Sequence, residues 1–420
     1  MQGQIIDRKT RAASVLDVLN LVLADVRYGL GPYTAIYLLT EHGWNESGIA
    51  LAFSFGSILG LVIQGPIGAL IDAVRMKRAL FATSVAVVTM TSFLIIFAPR
   101  FWPVAAAGVV GAIAGSIIET AMAAISLGIV GRVGFARRAA RNEALFHGGN
   151  VVINLTILGV APFLGLRIVF WMLALAGAAS AATVLAIPRD AIDHAQARGL
   201  SHHAVARGNR PPPWRTLLVS RPLLIFAGCG ALFHMANASM LGLVVQRAAR
   251  TDPAGCISVA AACMIAAQIA MVATAMLAGA KADVWGRKPI FLVAFLALAM
   301  RGALYTLSAN PAWTITVQLL DGVGVGVFGA LFTVVIADLT DGSGHFNAAK
   351  GLVGTIQSVG GILSGPLGSL IVMGVGYDAA FLTQAAIAAA GAFLFAVAMP
   401  ETRDAASLAE RGREAIALAE

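Results

Sequence analysis

The residues of this chain best suited to chemistry are ionisable side chains set inside long apolar runs. Asp25 and Arg27 fall in the middle of LADVRYGLGPY, with Tyr33 one to two turns further on. Glu119 stands in GSIIETAMAA, His234 and Asn237 in FHMANASM, and Asp321 in QLLDGVGVGVFG. Placing such a group in a bilayer costs at least ~2.5–3.5 kcal/mol, so each must face a wet cavity or a partner. Asp25 and Arg27, two residues apart, point to different helix faces. Each therefore needs its own partner, either on another helix or in a bound solute or proton. Glu119 has no basic residue one turn away, which makes proton carriage the sharper reading. Asp321 follows Pro311 by about ten residues, and either binds a proton or solute or is hydrated near the outer mouth. His234 shares a helix face with Asn237 one turn on and is a second proton or ligand candidate.

Further polar residues recur at three- and four-residue steps from 138 to 154. Arg141 with Glu143 reads as an interfacial charge cluster, whereas His147 and Asn150 lie deeper, share a face with Asn154 and line a cavity or its inner gate. Arg301 sits in another apolar run and is expected to snorkel or to hold a structural partner.

These groups need long apolar elements to position them, and the composition supplies little else. The chain is 59% hydrophobic and 12% charged with a mean hydropathy of +0.83, far from the roughly 25% charged residues of a soluble domain. Spanning a ~30 Å hydrocarbon core takes about 20 apolar residues, and twelve such segments follow one another from 12–39 to 378–400. A cytoplasmic tail at 1–11 precedes a six-helix bundle at 12–188. A central loop at 189–221, rich in Arg, His and Pro, leads to a second bundle at 222–400 and a tail at 401–420. With both ends in the cytoplasm, twenty-three of the 29 Lys and Arg fall on the inner side and four on the outer side. That asymmetry fixes the orientation in an inner, cytoplasmic-type membrane. The net charge of +8 is thus a topology signal and not a nucleic-acid surface. Cys229, Cys256 and Cys263 have neither metal-ligand spacing nor a pairing framework and read as packing residues.

One short charged turn occurs twice. GAKADVWGRK at 279–288 and GALIDAVRMKR at 68–78 each end an apolar segment on Gly, place an acid four residues later and finish on basic residues. Gly68 and Asp72 lie 211 positions before Gly279 and Asp283, half of the 420-residue chain. In both turns the small residue permits close helix approach, and the carboxylate suits backbone amides or a basic partner. The pattern G-x-x-x-D-x-x-G-R-K resembles the signature loop of the major facilitator superfamily of secondary transporters. The second copy matches it through Gly279, Asp283, Gly286, Arg287 and Lys288. The first, with Gly68, Asp72, Arg75 and Arg78, has Arg75 and Met76 where Gly and Arg are expected. The resemblance implies an all-α integral membrane protein of twelve helices in two pseudo-symmetric six-helix bundles, working by alternating access. It also implies that helices 1, 4, 7 and 10 line the cavity, the four that carry Asp25, Glu119, His234 and Asp321, and that the two loops latch the inner gate.

No nucleotide-cradling GxxxxGK[ST] loop, H-E-x-x-H, C-x-x-C or G-x-S-x-G occurs, so neither an ATP-driven pump nor an enzyme is indicated. The expectation is a proton-coupled, cofactor-free, monomeric transporter of a small solute in the lipid bilayer, with export as the first reading. Asp25, Glu119, His147, His234 and Met235 also offer donors for a metal or metal-chelate carrier, and a sensor that moves nothing is a third class.

Overall fold

The computed structural model describes residues 2–24, 26, 31–200, 213–252 and 255–403. Asp25 and Arg27 lie outside the described residues. Thirteen α-helices are present among those described: α1 Gln2–Val22, α2 Gly31–His42, α3 Glu46–Ala73, α4 Lys77–Phe97, α5 Phe101–Leu164, α6 Arg167–Ala186, α7 Arg221–Asn237, α8 Met240–Thr251, α9 Cys256–Trp285, α10 Arg287–Tyr305, α11 Pro311–Leu339, α12 Phe346–Gly374 and α13 Tyr377–Ala398.

Ten helical stretches among the described residues are long and apolar enough to cross a membrane, two fewer than the twelve segments read from the sequence. The difference has two causes. Running straight, α5 would measure about 96 Å at 1.5 Å per residue, three times the hydrocarbon thickness. It is instead two helices meeting at Gly131, whose φ of 67° and ψ of 179° are non-helical, a backbone geometry that glycine adopts without steric cost. The segment 12–39 is the other, being divided between α1 and α2. With the break at Gly131, Arg132, Arg137, Arg138 and Arg141 lie within the second leg of α5 and not in a loop.

Local sequence explains several ends. Asn45 accepts from the Gly48 amide at 2.7 Å to cap α3, and Asn310 accepts from the Ala312 amide at 2.8 Å ahead of Pro311 in α11. The first apolar segment of the second bundle is broken between Asn237 and Met240, into α7 and α8. There the Ser239 amide donates to Ser364 Oγ at 3.0 Å, and Ser239 Oγ donates to the Ser364 carbonyl at 3.0 Å, so the interruption leaves the donors of Ser239 satisfied.

The chain forms two compact units. The first comprises 1–129, 145–198 and 345–355, with α4 packed on α6 and α1 on α6. Its 189–198 stretch is not a free linker. Ala191, Ile192 and Ala197 are buried, and the Asp193 amide donates to the Gly128 carbonyl at 3.0 Å. The second unit comprises 130–144, 199–344 and 356–420, with α9 and α10 packed on α11, and α7 and α10 on α13. Its core is aromatic: Phe233 stacks on Phe328 at 4.5 Å, and Phe226 meets Phe291 edge-on at 5.4 Å, geometries that add to simple apolar burial.

Candidate functional site

In the first unit, Glu119 of α5 pairs with Lys350 of α12, Nζ to Oε1 at 2.7 Å, the lysine almost wholly buried and the carboxylate about one-third exposed. The expectation that Glu119 lacks a basic neighbour is thereby corrected. Its partner comes from 231 residues away, where helical spacing gives no hint of it. Tyr33 donates its hydroxyl to Asn154 Oδ1, and Asn154 donates back to the Asn150 carbonyl at 2.7 Å. His147 and Asn150 are buried on the same face of α5. Gly149 admits α1 there, since a Cβ on it would lie 2.3 Å from the Leu21 carbonyl oxygen.

In the second unit, Arg301 of α10 is 1% exposed and does not snorkel. Its Nη1 donates to Asn237 Oδ1 at 2.5 Å and to Asp321 Oδ1 at 2.7 Å, and its Nη2 donates to Gln318 Oε1 at 3.1 Å. Tyr305 donates to the same Gln318 oxygen, and Gln318 Nε2 donates to Asp321 Oδ2 at 3.0 Å. Asp321 is therefore an ion-paired, largely buried group and not one hydrated at an outer mouth. Asn237 and His234 share a face but have different company, for His234 rests edge-on against Phe328 at 5.2 Å. A buried guanidinium with its counter-charge and amide partners all in place is stable as a set and costly to dismantle singly.

Each repeated turn joins a glycine that lets a neighbouring helix approach to a partnered carboxylate. Asp72 accepts from the Ala348 amide at 2.9 Å, from Asn347 Nδ2 at 2.8 Å and from the Asn347 amide at 3.4 Å. A carboxylate thus sits on the positive end of α12. Gly68 makes this possible, because a Cβ there would fall 2.0 Å from the Asn347 carbonyl oxygen. In the second copy a Cβ on Gly279 would fall 2.1 Å from Ala140 Cβ. Asp283 pairs with Arg287 at 2.9 Å, Arg287 Nε reaches Asp338 at 3.1 Å, and Arg132 joins Asp338 at 3.2 Å. Gly286, with φ 95°, turns the chain into α10. The first amides of that helix, on Arg287 and Lys288, donate to the Glu401 carboxylate at 2.9 and 3.1 Å.

The first turn departs from the expected residues in a definite way. Arg75 is exposed, and Arg78 donates to the Val184 carbonyl at 3.2 Å. Lys77, 1% exposed, donates to the carbonyls of Ile71 at 2.7 Å and Val74 at 2.6 Å. Arg287 donates in the same way to Ala282 at 2.9 Å, and Ala282 lies 211 positions after Ile71. Lys77 therefore does in the first copy what Arg287 does in the second, and the repeat offset carried that signal, since Lys77 aligns with Lys288. Lys350, Asp338, Glu401, Gln318 and Tyr305 went unrecognised as site residues. Tyr305, four residues after Arg301, and Gln318, three before Asp321, share a helix face with those groups, a signal the spacing did carry, whereas Lys350, Asp338 and Glu401 have none. Among the described residues no three His, Cys, Asp or Glu side chains converge to hold a metal.

A sequence profile of the Major Facilitator Superfamily matches residues 18–267 and 232–418. An uncharacterised MFS-type transporter from two strains of Mycobacterium tuberculosis is 44% identical over 404 residues, covering 96% of this chain and 97% of that one. Two solved structures share the fold at low identity. The human organic anion transporter TETRAN has a TM-score of 0.68 at 16% identity, covering 92% of this chain and 99% of that one. The proton:xylose symporter XylE, bound to 6-bromo-6-deoxy-D-glucose, has a TM-score of 0.71 at 14% identity, covering 96% and 98%.

Proposed function

The chain belongs to the major facilitator superfamily, a multi-pass membrane family of secondary transporters, and from that premise we propose that it moves a small solute by alternating access, coupled to protons and in the direction of export. The observation that carries proton coupling is the Glu119–Lys350 pair at 2.7 Å. Two carboxylates hold the start of α12: Asp72 on its first amides and Glu119 on Lys350 one turn later. Protonating Glu119 removes the negative charge 2.7 Å from the nearly buried Lys350 ammonium and so weakens a charge-assisted contact that holds the helix start. The helix start is then free to leave, and deprotonation restores the latch. The pair thus turns proton binding into movement of a gate element, as alternating access around a midplane site requires.

Other features fit this reading. Tyr33, His147, Asn150 and Asn154 in the first unit, and Asn237, Arg301 and Asp321 in the second, are hydrogen-bonding groups of the kind an organic solute needs. The same fold couples to protons in the xylose symporter. Export rests on the signature loop, which is common among drug and metabolite exporters. Asp25 and Arg27 belong to the same proposal on their sequence positions alone. The sorting of Lys and Arg supports cytoplasmic termini, and the proposal includes a monomer without a bound cofactor.

The test is transport in proteoliposomes with a solute selected by thermal-shift screening. Glu119→Gln, which cannot take up a proton, is expected to lose accumulation driven by a pH gradient while keeping solute exchange and its fold. Accumulation at the wild-type rate would take Glu119 out of the mechanism.

A further inference from the structure

Within the second unit, α9 and α10 both pack on α11 but scarcely on each other. They diverge from the hairpin at Gly286, so a V-shaped groove opens away from the signature turn. Its volume is about 180 Å³, with Leu277 and Ala278 on one wall, Pro289 and Val293 on the other, and Val323 and Val327 as its floor. The lining is almost entirely apolar apart from its cytoplasmic vertex, where Lys281 and Trp285 stand. Lys281 Nζ lies 5.3 Å from the centre of the Trp285 ring. Two neighbouring cations are already engaged, Arg287 by Asp283 and Asp338 and Arg403 by the Asp283 and Val284 carbonyls. Among the described residues Lys281 forms no ion pair with a carboxylate. Leu277 and Val293 are half exposed on the groove's rim.

We propose that this groove is a binding site for one anionic phospholipid, with an acyl chain between α9 and α10 and its phosphate on Lys281. Charge complementarity selects the occupant. A dry furrow suits a methylene chain, and an ammonium beside an interfacial tryptophan suits a phosphate at headgroup depth. A zwitterionic lipid offers the same chain but no net charge for Lys281. Because the vertex is the turn that carries Asp283 and Arg287, the bound headgroup sits beside the second latch, and lipid composition acts on it directly.

Brominated acyl chains quench nearby tryptophan, so the test uses phosphatidylcholine vesicles doped with either dibrominated phosphatidylglycerol or dibrominated phosphatidylcholine. The Trp285 signal is taken as the difference between the wild type and Trp285→Phe. The phosphatidylglycerol probe should quench it as though enriched about fivefold, the factor one lysine near an anionic surface produces. Lys281→Gln should bring quenching down to the phosphatidylcholine level. Val293→Phe, which fills the groove without touching charge, should lower quenching by both probes. Equal quenching by the two lipids in the wild type, or a preference that survives Lys281→Gln, would overturn the proposal.

Discussion

Adding one methyl group at Gly68 should undo the docking of α12. A Cβ there would lie 2.0 Å from the Asn347 carbonyl oxygen, 2.6 Å from its carbon and 2.9 Å from Ala348 Cα. These are backbone atoms, so no rotamer change relieves the clash, and ordinary contact begins near 3.4 Å. The Asn347–Ala348 backbone must therefore retreat by about 1.4 Å, a distance at which packed interiors no longer keep their contacts. Added to the present 2.9 Å between Asp72 and the Ala348 amide, that retreat takes the bond well beyond hydrogen-bonding range. The Asn347 side-chain bond at 2.8 Å goes with it. Hydrogen bonds to a charged group contribute about 1.5–3 kcal/mol each. Losing both shifts the docked-to-free equilibrium by at least about 3 kcal/mol, or roughly two powers of ten. Amide hydrogen exchange over residues 345–355 reads this directly, and Gly68→Ala should exchange about a hundredfold faster there than the wild type. Gly65→Ala is the control, since a Cβ at Gly65 meets nothing within 4 Å. If Gly68→Ala keeps wild-type protection at 345–355, the close approach and the latch argued from it are both wrong.

Three more outcomes follow from the same geometry. Gly279→Ala should destabilise the second turn because the new methyl meets Ala140 Cβ at 2.1 Å, whereas the next atom, the Ala136 oxygen, is at a tolerable 3.4 Å; adding Ala140→Gly should restore most of the loss in reversible unfolding. Asp321→Ala leaves the Arg301 guanidinium buried without its counter-charge and should cost about 3–5 kcal/mol, while the double change Arg301→Met with Asp321→Leu should cost far less. Additive single and double losses in that unfolding cycle would show that the pair is not coupled. Burial, helped by the positive charges of Lys77 and Arg75 and opposed by Asp193, holds the His194 imidazole below its ordinary value of 6.5. The folded state therefore binds this proton less readily than the unfolded one, so docking of 189–198 is unimpaired above about pH 6.5 and weakens as pH falls through the lower folded value. Hydrogen exchange of that stretch, corrected for intrinsic rates, should accelerate at acid pH in the wild type but not in His194→Gln.

The elements were legible where the signal is periodic or additive along the chain. Apolar length gave the spans, and the 211-residue offset between Gly68 and Gly279 gave the two related turns. That offset also pointed to Lys77, though Arg75 drew the attention because it is the residue that breaks the pattern. The site was legible only in part. Glu119, Asp321 and Asn237 were recognisable as polar groups too deep to be idle, but Glu119 was read without its basic partner, and one of the two readings of Asp321 put it in water. Helical spacing describes neighbours one turn away, and Lys350 reaches Glu119 across 231 residues. Asp72 was harder still, since two of the donors it accepts from are backbone amides, which every non-proline residue carries and no sequence distinguishes.

By itself the sequence determined that this chain lies in a membrane as a duplicated helical protein with charged turns at matching places. Those are one-dimensional properties, because transfer of an apolar stretch into lipid depends on its length and composition and hardly on what it will touch. Which buried charge meets which was decided only by the tertiary structure. The rotation of each helix about its axis and the glycines that let two backbones approach select Lys350 for Glu119, Arg301 for Asp321 and the end of α12 for Asp72. In a low-dielectric interior a displacement of an ångström or two separates a satisfied ion pair from an intolerable one, and that displacement exists only once the helices have packed.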